Sequence, residues 1–220
     1  NRGSIPLSGQ QINDLKEYSA EFNQPISTID MNQGTYSNTG FTQWGASGLA
    51  VAWAEENTRD SIFEAFKRKE TFATTGTRIA VRFFAGYDLA SIDLSSDTLV
   101  SEAYEKGVTM GADLLNDDNQ APDFLVWAQK DKNGAAQRIQ IIKGWIDIDS
   151  GTPNEKVYDI ACSDGLSVDP ITNRCPDNGA RVSIADCSIT QAVGASELKT
   201  VWNDTDLDPS INSFYYVSVL

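Results

Sequence analysis

The densest run of chemistry-bearing side chains in this sequence is Glu55-Glu56-Asn57-Thr58-Arg59, which directly follows the apolar stretch Gly48 to Ala54. A strand end that leads into a helix N-terminus is where α/β barrels place reactive groups, and the unsatisfied amides of the first helical turn attract anions. In that setting Arg59 could grip a phosphate or related anionic ester in bidentate fashion. Asn57 would line the same surface, and Glu55 or Glu56 could face a metal site. The same residues also suit a helix cap with surface ion pairs, so both readings stay open.

A second group lies further along the chain. Asp164, Asp169 and Asp177, with Gly165 and Asn173, place oxygen donors at close spacing on a turn-rich loop, which is calcium chemistry if they converge. They lack the D-x-[DN]-x-[DN]-G run of an EF-hand, and a solvated acidic loop accounts for them more simply. Cys162 and Cys175 bracket that loop (SDGLSVDPITNR). A disulfide between them would contribute about 2–4 kcal/mol in an oxidising compartment, with reduced thiols as the alternative. Cys187 is then left without a partner in the sequence. Trp145, beside Lys143 and Gly144, could form a ligand platform, but it suits a core position equally, as do Trp127 and Trp202.

What is missing narrows the chemistry further. Histidine is absent, which excludes a Ser-His-Asp or Cys-His nucleophile within these residues and removes the commonest zinc ligand. The formal net charge of −14 repels phosphate backbones, so nucleic acid is a poor partner and none is expected. No apolar run approaches the ~20 residues of a membrane span. The start, Asn1-Arg2-Gly3-Ser4, has no signal-peptide pattern and no Met, and the final strand stops without a polar tail, so a longer natural protein is expected.

The elements that must position these groups follow from local pattern. Ser8 as N-cap with Gln11 three residues on, then Ile12, Leu15 and Phe22, predicts an N-terminal helix ending before Pro25. Residues 30–47 (DMNQGTYSNTGFTQWGAS) read as a long loop, and GLAVAWA as a buried strand. Asn57 or Thr58 caps a second helix with Asp60 in its first turn and Ile62, Phe63 and Phe66 as its buried stripe. Gly76 sits where a turn needs positive φ. A strand RIAVRFF and a short helix from Asp97 to Lys106 come next. Strands then follow at Phe124–Ala128, Arg138–Ile142, Val157–Ile160, Glu197–Trp202 and Phe214–Leu220. The segment DKNGAAQ suggests that the strands on either side of it are hairpin neighbours.

The stretch GASGLAVAWAEENTRDSIFEAFKRKETFATTGTRIAVRFFAG resembles a large bacterial family of uncharacterised proteins described as metal-dependent hydrolases with a PHP-like (polymerase and histidinol phosphatase) barrel. Further matching segments follow in order: GVTMGADL, RIQIIKGW, EKVYDIACSDG, TNRCPDNGA, ELKTVWNDTDLDP and FYYVSVL. The resemblance implies that the metal ligands, mostly His and Asp/Glu, belong to an N-terminal half outside this chain. Mn, Zn or Mg would bind there, with Ca possible at the aspartate loop. It also implies a periplasmic or secreted bacterial protein, a small anionic substrate and the catalytic half as partner. The expected fold is α+β. Residues 1–76 would supply N-terminal helices and the strand and helix that close the barrel, and residues 77–220 a mainly antiparallel, β-sandwich-like accessory domain. The competing function is a non-catalytic binding or subunit-contact module.

Overall fold

The computed structural model describes residues 28–31, 34–37, 48–116, 119–132, 134–186 and 188–220. The chain separates into two compact units, Asn1–Ser47 and Gly48–Leu220. In the first, β1 (Thr28–Met31) and β2 (Gly34–Ser37) pair antiparallel, where the sequence pointed to a loop. The helix expected from Ser8 lies outside the described residues.

The second unit is built on two antiparallel sheets. One has the order β10 (Glu197–Asn203), β7 (Asp123–Gln129), β5 (Ala80–Gly86), β6 (Gly107–Thr109); the other has the order β11 (Ser213–Val219), β8 (Arg138–Ile146), β9 (Pro153–Cys162). Alternate residues of β7 leave its opposite faces. Phe124, Val126 and Ala128 meet Ile139 and Ile141 of β8 in a core between the sheets, joined by Val81, Phe83, Trp202, Tyr215 and Val217. Leu125 instead joins Phe84, Leu89, Ile92, Leu99 and Ala103 in a second cluster. That cluster lies beneath α2 (Leu99–Lys106) and a single 3-10 turn, Leu89–Ser91. Burial on both faces is why DFLVWAQ reads as a nearly continuous apolar run rather than an alternating one.

The α+β expectation with barrel-closing elements is overturned. The described residues carry eleven strands and two α-helices, and their sheets are open. The strand expected to close a barrel, β3 (Gly48–Ala52), makes its ladder with β4 (Thr71–Thr75), antiparallel and in register from Gly48↔Thr75 to Ala52↔Thr71. Its hydrogen bonds are thus spent in a hairpin-like pair, whereas a PHP-like barrel wall needs parallel neighbours joined by helices.

Two other expectations also change. DKNGAAQ is no hairpin turn: β7 and β8 belong to different sheets, and Ala136 bridges Ala195 as the chain crosses between them. The stripe Ile62-Phe63-Phe66 of α1 (Arg59–Lys67) is not buried; Phe63 is 59% and Phe66 53% exposed, and Ala65 is the residue turned inward. Gly76 does hold positive φ, at 134°. Among the described residues no helix is long and apolar enough to cross a membrane.

Candidate functional site

Helix α1 starts where the sequence places it. Thr58 is the N-cap, its hydroxyl accepting from the Ser61 amide at 3.3 Å, and Asp60 sits in the first turn. Just before it, the Ser61 hydroxyl accepts from the Glu56 amide at 3.1 Å, which fixes the path of the chain from Trp53 into the helix. The side chains of Glu55, Glu56, Asn57 and Arg59 are exposed and make no hydrogen bond or ion pair with any described residue. The structure therefore keeps these four on one short surface segment but does not pin them.

Behind this segment lies an assembly that the sequence did not reveal. The Trp53 indole N–H donates to the Val81 carbonyl at 2.9 Å, which anchors the ring against β5. The Arg82 guanidinium lies 3.9 Å from the centroid of that ring. Arg82 donates to the Tyr104 hydroxyl at 3.1 Å, and Tyr104 in turn donates to the carboxylate of Glu70. Glu70 is buried and also accepts from Arg68 Nε at 3.0 Å. Burial alone would push the Glu70 carboxyl up, but the hydrogen bonds from Tyr104, Arg68 and Thr109 outweigh it and hold the group below its ordinary value. Burial and the Glu70 carboxylate push the Tyr104 phenol up. Both effects keep Glu70 ionised and Tyr104 neutral, a stable base for the cation.

Strand register extends the wall. Arg82 is the direct cross-strand neighbour of Trp127, and Trp127 of Lys199. Lys199 Nζ sits 4.4 Å from the Trp127 ring centroid, so indoles and cations alternate across the sheet as Trp53, Arg82, Trp127, Lys199. A cavity of about 260 Å³ opens here, lined by Trp53, Ala80, Val81, Arg82, Val100, Trp127 and Gln129. The carboxylate beside it, Glu197, accepts from the Trp127 indole at 2.8 Å and from Gln129 at 3.4 Å, and pairs with Lys199 at 3.1 Å. The wall can bind an anion or stack against a flat group.

The aspartate loop is a different case. Asp164 accepts from Ser163, Asn178 and the Gly194 amide. Asp169 accepts from the amides of Ile171 and Thr172, and Asp177 pairs with Arg181. Their carboxyls are held below the usual range by these bonds. Each is occupied locally, and no three His, Cys, Asp or Glu side chains group to hold an ion among the described residues.

Cys162 and Cys175 are joined in a disulfide with Cα atoms 5.6 Å apart. The loop is pinned a second time by Asp159, fully buried at its side chain. Asp159 accepts from Arg138 at 2.8 Å, Gln140 at 2.6 Å, Arg174 at 3.3 Å and the Cys175 amide at 2.6 Å. Cys187 lies outside the described residues. Trp202 packs between Phe124 and Tyr158 in the core, while Trp145 is half-buried with Lys143 Nζ 5.8 Å from its ring.

Glu70, Arg82 and Tyr104 lie 12 to 34 positions apart in the chain. Their one local signal was the alternation of RIAVRFF, which places Arg82 on the same face as Phe84. Residues 9–220 match the model of a family described as "Protein of unknown function (DUF3604)", and the chain belongs to that family. No curated protein and no solved structure matches the chain.

Proposed function

We propose that this DUF3604 chain is the accessory, non-catalytic part of an exported PHP-like metal-dependent hydrolase, and that it presents a substrate-facing surface for anionic esters. The observation that carries the reading is the segment Glu55–Arg59. The side chains of Glu55, Glu56, Asn57 and Arg59 stand unpaired around the Thr58 cap of α1, in a chain anchored at Trp53 to β5. Their exposure leaves two carboxylates, an amide and a guanidinium available to a ligand from outside.

The divalent ion of such a hydrolase does not fit the residues present. Histidine is absent, and the carboxylates described here are dispersed. The groups that bind the metal and activate water therefore belong to another part of the longer protein. The Cys162–Cys175 bridge supports export, because structural disulfides persist in oxidising compartments.

The test uses the longer protein. Arg59→Ala should lower turnover of anionic esters by about tenfold or more, as expected for loss of a charge-assisted contact. It should leave the unfolding curve within about 0.5 kcal/mol of wild type, because Arg59 has no described partner. Unchanged kinetics would retire the role. One observation favours a second reading, a subunit-contact module: the exposed pair Phe63 and Phe66 beside Arg59 on α1. Absence of ester turnover in both this chain and the longer protein, together with self-association lost in Phe63→Ser, would favour it.

A further inference from the structure

We propose that the cavity between Trp53 and Trp127 binds a planar aromatic ring carrying an anionic group, with the charge held by Arg82. This rests on reading the face as substrate-facing and deepens it by naming the ligand class.

Size sets the first limit. An apolar cavity of about 150 Å³ holds benzene, and pockets for larger organic ligands start near 300 Å³. At about 260 Å³ the space admits one or two rings and is small for a nucleotide. Its lining sets the second. Two indoles with Ala80, Val81 and Val100 give an apolar lining in which aromatic contacts favour a ring.

Charge sets the third limit. The chain carries −14 overall, yet the charged residue that lines this cavity is a cation, Arg82. The nearby carboxylates are already matched, Glu197 by Lys199 and Glu70 by Arg68 and Tyr104, so neither leaves a free negative charge to repel an anion. Arg82 gives one N–H to Tyr104 and lays a face on Trp53, which fixes its plane while leaving further donors on the guanidinium. A cation ordered before the ligand arrives loses little freedom on binding.

The test titrates the 220-residue chain with phenyl phosphate, benzoate, inorganic phosphate and benzyl alcohol, followed by calorimetry and by Trp fluorescence. Phenyl phosphate or benzoate should bind about tenfold tighter than inorganic phosphate, which lacks the ring, and than benzyl alcohol, which lacks the charge. The two aryl anions distinguish a phosphate head from a carboxylate head. Arg82→Gln should erase the preference for charge, and Arg82→Lys should retain part of it. If Arg82→Gln loosens β5 in an unfolding curve, Arg82→Lys decides: weaker but still charge-dependent binding supports the assignment, and binding independent of charge overturns it.

Equal binding of all four compounds, or no binding of either aryl anion at millimolar concentration, would overturn the assignment. None of these readouts involves turnover. Failure of the Arg59→Ala experiment would thus remove the hydrolase reading and leave aryl-anion binding standing, and failure here would leave the accessory role intact.

Discussion

The Lys143–Asp204 cluster and the Trp53–Arg82 wall use similar residue types to opposite ends. In the first, Lys143 and Asp204 are both buried and 2.6 Å apart; Lys143 also donates to the Asp206 carbonyl, and the Tyr215 hydroxyl donates to Asp204 at 2.6 Å. Burial and Asp204 push the Tyr215 phenol well up, so it remains a neutral donor. Every member is consumed by its neighbours, and the result is a rivet that ties the loop after β10 to β8 and β11. In the second, Arg82 and both indoles are half-buried, donors are left over, and a cavity lies alongside. The contrast teaches that a cation beside aromatic rings is not a binding site by composition. Saturation of its hydrogen-bonding capacity and access to space decide the matter.

Removing one partner from each cluster should separate the two. Asp204→Ala leaves a buried ammonium without its carboxylate and should cost about 3–5 kcal/mol in denaturant unfolding. Arg82→Gln should cost about 1 kcal/mol, because its site is open to water. Equal losses would mean that both clusters are rivets.

Loss of the Cys162–Cys175 bridge, as Cys162→Ala with Cys175→Ala, should cost about 2–4 kcal/mol. Mass spectrometry of the native chain after alkylation should find neither of these thiols modified. Asp159 still holds the Cys175 amide and both arginines when the bridge is gone, so the aryl-anion wall should bind as before.

A further effect is confined to alkali. Burial and the Asp206 carboxylate push the Tyr158 phenol up to about 12 from its ordinary value of 10.0. The unfolded chain therefore loses this proton first, and the stability from Tyr158 is complete below pH 10 and disappears as pH rises toward 12. Tyr158→Phe should flatten that part of the stability-against-pH curve, and an unchanged slope would show that Tyr158 does not carry it.

How much of this could be read from the sequence depends on how far apart the cooperating residues lie. Thr58 as a cap, Gly76 at positive φ, and β5, β7, β8, β9, β10 and β11 near their actual places all follow from patterns a few residues long. Sheet assignment does not. Asp-Lys-Asn-Gly between two apolar runs looks like a hairpin turn, but the inner faces of β7 and β8 bury more apolar surface by facing each other across the core than by pairing edge to edge. Thr71–Thr75 has too little apolar alternation to announce a strand, and it becomes one because β3 supplies its ladder. The segment Glu55–Arg59 was legible as a polar cluster at a helix start. Its support was not, since Glu70, Arg82, Tyr104 and Trp127 meet only after β5, β7 and α2 have assembled.

A chain that presents a binding surface without a metal site should bind and not catalyse. The direct measurement incubates the purified 220-residue protein with Mn²⁺ or Zn²⁺, removes unbound ion, and records metal content by elemental analysis beside turnover of a phosphoester panel. Well under one equivalent of metal and no hydrolysis above buffer is the expected result. One tightly retained equivalent with measurable ester cleavage would contradict it.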